Sequence, residues 1–251
     1  MDNNLYIDGE IGISLGGNKD QANGPRWQDL YVTDNVRMHI GRSQPTNRTI
    51  AWGLDVNDWD RGLVKGNIFT HWGDDVVNNT YAVTAQGDTS GVEYSDNIVY
   101  QLQSGRALIQ FLDGAIHTGT SFFNNEIQGS NDESLMLYAI TESGGFQDNY
   151  YYSTADQSAW FALDGVKYAS LDDYRNASGD TTSFASARSY VDPERTIETY
   201  LTGIGHATDT DSFVAELKQQ SKFNWNVALT AKTINNYVRQ GFCLMGNTNC
   251  R

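Results

Sequence analysis

From Asn4 to about Asn149 the chain is patterned in short stretches where apolar and polar residues alternate, and the whole pattern repeats. Its marker is a turn-type residue followed by Asn and, usually, an apolar residue. It reads Asn3-Asn4-Leu5, Asp34-Asn35-Val36, Gly66-Asn67-Ile68, Asp96-Asn97-Ile98, Asn124-Asn125-Glu126 and Asp148-Asn149-Tyr150. Measured at the second residue, the intervals are 31, 32, 30, 28 and 24. Three short alternating stretches lie within each interval. After Asn67 they are Ile68–Trp72, Tyr81–Ala85 and Gly91–Tyr94; after Asn97 they are Ile98–Leu102, Ala107–Leu112 and Gly119–Phe122. Three strands per repeat predict one coil of a three-sided solenoid, each coil covering its neighbour's apolar edge.

Counting from the anchor predicts the faces, because successive strand residues point to opposite sides. Val32, Val64, Tyr94, Phe122 and Phe146, three residues before the anchor, are expected inward. Leu5, Val36, Ile68 and Ile98, one residue after it, are also expected inward. The second column after the anchor (Tyr6, Arg37, Phe69, Val99) and the fourth (Asp8, His39, His71, Gln101) are then expected outward. The Asn itself is expected at a sharp corner, in a left-handed backbone, hydrogen-bonded to the same residue on adjacent coils. This pattern resembles the pectate-lyase-like superfamily of right-handed parallel β-helices, in which asparagines stack at a turn. The resemblance implies an all-β fold of about six coils. It leaves activity open, since that superfamily includes lyases, hydrolases, epimerases, tailspikes and adhesins. A β-sandwich, the rival fold, would need hairpin signals and no fixed period of about 30 residues.

The pattern changes near Tyr190, so the expected domains are a β-helix over 1–189 and a small C-terminal α-helical cap and tail over 190–251. Asp192-Pro193-Glu194 is expected to open a helix through Thr196–Leu201. Thr210 or Asp211 is expected to cap a second, and Ala228–Phe242 forms a third. Such a cap would cover the last coil and block edge-to-edge association. At the other end the repeat begins within a few residues of Met1. An N-terminal part of a longer chain, or a stacking partner, is therefore expected over the first coil.

Composition refines this picture. Gly is abundant (24), Pro scarce (3) and aromatic residues make 12% of the 251 residues, as in strand-rich chains with many turns. A formal charge of −14 argues against nucleic acid as a partner. No apolar run of about 18 residues exists, so no membrane insertion is expected. Cys243 and Cys250 are expected to close a terminal disulfide loop, which favours an oxidising location. The localisation this suggests is secreted or cell-surface, of bacterial extracellular type. Asn47-Arg48-Thr49, Asn78-Asn79-Thr80 and Asn176-Ala177-Ser178 fit glycosylation acceptors, relevant only in a eukaryotic secretory route.

The chemistry expected is carbohydrate chemistry. A lyase acting on a uronate-containing glycan needs a cation against the carboxylate, a base for the neighbouring proton and an acid for the leaving oxygen. Arg37 suits the first role, His39 or His71 the second and Tyr6 or Tyr31 the third, with Asp8 orienting an imidazole. Trp59, Arg61, Lys65 and Tyr31 are candidates for binding the polysaccharide, since sugar faces stack on aromatic rings. Of the remaining Trp residues, Trp52 and Trp160 fit inward positions, whereas Trp27 and Trp72 fall near coil corners. Asp55, Asp58 and Asp60 around Trp59, with Asp74 and Asp75 one coil on, fit paired hydrolase carboxylates, a Ca²⁺ site at Asp55 and Asp58, or plain exposed turns. Asp88, Asp113 and Asp164 stand beside glycines as ordinary turn residues. No phosphate-binding glycine loop, nucleophile elbow or HExxH is present. A polysaccharide lyase is the leading expectation. The alternatives are a glycoside hydrolase with paired Asp and a non-catalytic glycan-binding, tailspike-like or surface-structural β-helix.

Overall fold

The computed structural model describes residues 1–17, 27–72, 79–102, 107–112, 114–129, 135–140, 145–206 and 208–247. Asp74, Asp75, Asn78, Asp113 and Cys250, which carry sequence expectations, lie outside these residues, and the Cys243–Cys250 loop falls outside with Cys250. The chain divides into two units, one of Met1–Asp2 with Tyr6–Ala187, the other of Asn3–Leu5 with the chain from Arg188 onward.

The first unit is a parallel β-solenoid with three sheets. One sheet stacks Val36–Met38, Ile68–Trp72, Ile98–Leu102, Glu126–Gln128, Tyr150–Tyr152 and Phe184–Ala185, with Leu5–Ile7 at its start. The second runs from Ile11–Gly16 through Ile50–Asn57, Asn79–Ala85, Ala107–Phe111 and Leu135–Ala139 to Phe161–Leu163. There an antiparallel strand, Val166–Tyr168, closes it. The third stacks Trp27–Thr33, Trp59–Lys65, Thr89–Ser95, Ser121–Phe123 and Gly145–Gln147. Val36 pairs with Ile68, Ile68 with Ile98, Ile98 with Glu126 and Glu126 with Tyr150, so each sequence interval is one turn of the chain.

An amide ladder holds the turns together. Asn67 Nδ2 donates to Asn97 Oδ1 (3.0 Å), and the Asn67 backbone N–H donates to the same oxygen (3.0 Å). Asn35, Asn97 and Asn125 repeat both bonds toward Asn67, Asn125 and Asn149. Each ladder amide also reaches a carbonyl of the preceding turn: Val32 from Asn67, Val64 from Asn97, Tyr94 from Asn125 and Phe122 from Asn149. Only an amide supplies donor and acceptor together in one short planar group, so it can repeat without like charges meeting. The ladder ends where Ser183 Oγ accepts from the Asn149 N–H at 3.0 Å. From Asn35 to Asn149 it spans four turns, fewer than the about six coils expected. Before the ladder, Leu5–Ile7, Ile11–Gly16 and Trp27–Thr33 add one strand to each sheet, and after it Phe184–Ala185 pairs with Tyr150–Tyr152.

The corner is built differently from the expectation. The left-handed residue is the one before the Asn: Asp34 (φ 55°), Gly66 (64°), Asp96 (55°), Asn124 (58°) and Asp148 (56°). These residue types tolerate that backbone. The Asn itself is buried and turned inward, at 0% exposure for Asn35, Asn67 and Asn149. Two further left-handed columns complete the cross-section. One is Asp8, His39, His71 and Gln101, and the other is Asp29, Arg61, Gly91 and Gly119.

The interior is apolar and continuous. Val32, Val64, Tyr94, Phe122 and Phe146 form one wall, as expected from their spacing. Adjacent core residues such as Ala82-Val83, Leu108-Ile109 and Met136-Leu137 mark a break in strand alternation on the second sheet. At Met136-Leu137, both N–H groups donate to the Trp160 carbonyl (2.8 and 3.2 Å), the doubled pairing of a bulge. Gly53 sits at the same level, where a Cβ would lie 2.6 Å from the Ala82 carbonyl oxygen.

The last turn of the solenoid is covered from within the same unit. Helix Leu171–Ser178 starts at Ser170, whose hydroxyl accepts from the Asp173 N–H, and ends at left-handed Gly179 (φ 78°). Its Tyr174, 0% exposed, stacks on Phe161 at 4.8 Å. Leu171–Ser178 was not foreseen as a helix.

The second unit contains helices Ile197–Gly203, Thr210–Lys218 and Ala231–Gly241. Thr196 and Thr199 form a reciprocal capping box on the first, and Pro193 lies in the preceding turn rather than at the helix start. Asp209, one residue before the expected positions, caps the second. Thr230 caps the third, and Val227–Leu229 before it is a short 3-10 turn. Ile234 and Val238 are its buried face. Tyr200 donates to the Ala228 carbonyl at 2.7 Å, and Asn235 donates to Asn3 Oδ1 (2.9 Å) and the Asn4 carbonyl (3.1 Å). No helix among the described residues is long and apolar enough to cross a membrane.

Candidate functional site

The four proposed catalytic residues do not share a face. Arg37 is 0% exposed, with its guanidinium carbon 4.8 Å from the Tyr6 ring centroid and 4.9 Å from that of Phe69. Its Nε donates to the Gly53 carbonyl (3.0 Å) and Nη1 to Asn67 Oδ1 (3.3 Å). Burial pulls its pKa down to about 10, opposed by Tyr6, so it stays charged at neutral pH. The Tyr6 phenol is raised by burial, with Arg37 opposing. The expected parity is thus reversed: Phe69, Val99 and Ile127, in the same column as Arg37, belong to the core. On the opposite face Val36, Met38, Ile68 and Thr70 are buried as well, so these two strands offer no solvated wall there.

Arg37 is therefore a structural cation. Arg37→Met keeps most of its volume between Tyr6 and Phe69, while Asn67 Oδ1 retains both Asn35 donors. The expected change in unfolding free energy is within about 2 kcal/mol. A denaturant titration checks it, and a much larger loss would mean the charge itself is needed.

His39 and His71 do meet at one corner. The His39 N–H donates to the His71 carbonyl (3.2 Å), and both residues carry left-handed backbone (φ 57° and 54°), which swings them away from the direction Arg37 takes. His71 Nδ1 lies 2.6 Å from Thr70 Oγ1, and its ring centroid is 6.0 Å from that of Tyr100. At the same corner Asp8 pairs with Arg42 (3.0 Å). Burial raises the Asp8 carboxyl, but hydrogen bonds from Ser43, Gly9 and Arg42 outweigh it and hold the group below its ordinary value. Arg42, absent from the sequence expectations, brings a cation to this column, and its backbone N–H donates to the His39 carbonyl at 3.3 Å. Nothing in a single sequence marks it, because it follows the corner rather than sitting in the repeat.

The proposed substrate-binding residues separate too. Trp59 is 0% exposed in the core, its indole N–H donating to the Leu15 carbonyl at 2.7 Å, and Trp72 is core as well. An exposed Trp59 on a glycan groove is therefore corrected. Trp160 is buried as expected, whereas Trp52 is only partly buried and packs edge-on to Tyr81 outside the main core. Tyr31 (57% exposed) and Trp27 (49%) share one strand of the third sheet and are open to solvent. Next to them, Arg61 pairs with Asp29 and Asp60, both at 3.0 Å, and Gln28 donates to Asp60 at 2.9 Å. The Asp29 carboxyl is held below its ordinary value by the Arg61 hydrogen bond. Lys65 pairs with Asp96 at 3.2 Å.

Of the two candidate Ca²⁺ ligands, Asp55 is held by its own hydrogen bonds. Asp55 is 5% exposed and accepts from Ser14 (2.7 Å) and Gln86 (3.2 Å), and burial raises its pKa, favouring the neutral acid. Asp58 takes a left-handed turn (φ 57°). Among the described residues no group of three or more His, Cys, Asp and Glu side chains is arranged to hold a metal.

Fold and surface together define a parallel β-solenoid with a polar histidine corner and an exposed aromatic edge. Comparison with protein-family models, with curated proteins and with solved structures finds no match to this chain.

Proposed function

We propose that this protein is a carbohydrate-binding β-solenoid without lyase activity, secreted or surface-exposed. The observation that carries the reading is the enclosure of Arg37. The cation needed against a substrate carboxylate lies between two aromatic rings inside the coil, while Tyr31, Trp27 and Arg61 remain at the surface. Exposed rings beside a network of fixed polar groups suit stacking on sugar faces with hydrogen bonds to hydroxyls. A second reading keeps the lyase, with Arg42 replacing Arg37 as cation beside His39, His71 and Asp8.

One assay separates the two. Anionic and neutral polysaccharides are tested for binding to the intact chain and for absorbance of an unsaturated product, with and without Ca²⁺. The expected result is binding without product, weakened about tenfold by Tyr31→Ala, in keeping with the loss of a stacking contact, and unchanged by His39→Ala. Product formation that disappears in both His39→Ala and His71→Ala would instead establish the lyase.

A further inference from the structure

The segment from Lys222 to Val227 is built inside out. Phe223 (88% exposed), Trp225 (66%) and Val227 (70%) alternate with Asn224 and Asn226. Asn224 Oδ1 accepts from the Ser221 N–H (2.7 Å) and hydroxyl (2.6 Å), and its Nδ2 donates to the Gln219 carbonyl (3.0 Å). Asn226 Oδ1 accepts from the Ala228 N–H (3.0 Å), and Gln220 Oε1 accepts from the Asn226 N–H (2.8 Å). The polar side chains thus clamp the loop, and the apolar ones are held out in water. Apolar side chains of this size ordinarily find cover, and three within five residues form a local patch rather than scattered surface residues.

Charge gives the occupant. Glu216 is the last acidic residue of the chain; residues 217–251 carry Lys218, Lys222, Lys232, Arg239 and Arg251 with no Asp or Glu. That stretch is formally +5 (5 basic, 0 acidic), so the remainder is −19, which with +5 gives the chain's −14. Lys222 Nζ lies over the Phe223 ring, 4.8 Å from its centroid. The Tyr31 edge sets its rings among charged side chains, whereas this loop turns its Asn224 and Asn226 side chains back onto its own residues. A protruding aromatic tip with Lys222 beside it, in a stretch of the chain that carries only basic charges, matches a bilayer surface, where Trp and Phe enter the interface and lysines meet anionic headgroups.

We propose that the Phe223–Trp225–Val227 loop docks this protein on an anionic lipid surface by shallow insertion. This goes beyond the glycan-binding reading and does not depend on it. The test is flotation of the intact chain with vesicles of phosphatidylcholine alone or mixed with phosphatidylglycerol, in parallel with binding of a soluble anionic polysaccharide. Co-flotation with the mixed vesicles is expected, at least about tenfold weaker in Phe223→Ser/Val227→Ser, since each lost apolar side chain removes a burial contribution of that order. Tryptophan emission should shift to the blue on vesicle binding in the native chain but not in Trp225→Phe. Near-native thermal midpoints are expected for these exposed positions and show that the variants fold. Failure to float with either vesicle overturns the proposal. So does a self-association that the double variant abolishes in the absence of lipid. Loss of polysaccharide binding in the loop variants, without flotation of the native chain, would assign the loop to glycan and also overturn it.

Discussion

Asn67→Ala is expected to lower the unfolding free energy by about 3–5 kcal/mol, measured by urea titration of the intact chain. The side chain accepts from the Asn35 N–H, Asn35 Nδ2 and Arg37 Nη1, and donates to Val32 O, Lys65 O and Asn97 Oδ1. Truncation strands several of these groups where water does not reach, and each orphaned buried group costs about 1–3 kcal/mol. Relaxation toward neighbouring carbonyls recovers part of that, hence the lower total. Arg37 loses one of its two hydrogen-bonded anchors at the same time, which deepens the effect. Asp34→Asn, on the exposed left-handed position beside the ladder, should change stability by less than about 1 kcal/mol, because Asn accepts the same backbone. Equal and small effects in both variants would mean that the apolar interior, and not the amide column, holds the turns in register.

Tyr174→Ala should be comparably damaging, about 3–5 kcal/mol by the same titration, in line with removal of a large buried aromatic side chain. Its ring covers Phe161 at 4.8 Å with the planes 16° apart and meets Tyr168 edge-on at 6.2 Å. Without it the last apolar layer of the solenoid loses its lid. Binding of a hydrophobic dye should therefore rise along with the loss of stability. Tyr174→Phe keeps the stack and should stay within about 1.5 kcal/mol of the native chain. A stable Tyr174→Ala variant with unchanged dye binding would show that helix Leu171–Ser178 is dispensable as a cover.

The parallel coil was legible in the sequence because asparagine recurs with the period of one turn, and only its amide can bond to copies of itself above and below. The inward wall of Val32, Val64, Tyr94, Phe122 and Phe146 followed from the same count. The direction of Arg37 did not. Strand alternation leaves the choice of face open by one step, and that choice turns on which residue takes the left-handed corner. Placing Asp34 at the turn sends Asn35 inward, with Val36 and Arg37 to opposite sides. The same step takes Arg37 off the face expected to meet substrate, while His39 and His71 stay in one column. Trp59 was misread because it follows a turn, although its indole has a carbonyl waiting at Leu15. The signals for helix Leu171–Ser178 were present, with Ser170 and Asp173 at its start and Gly179 at its end. They lie where the repeat fades, and a count of repeats gives them no weight. No count of residues identifies Arg42, whose position depends on how the chain leaves the histidine corner.

Each ladder amide touches only the turn before it and the turn after it. A unit of this kind behaves as a cassette: roughly thirty residues bearing their own anchor could be duplicated or excised, and the flanking copies would rejoin by the same contacts. The length of the solenoid is therefore an adjustable trait, and it can change without redesign of either end.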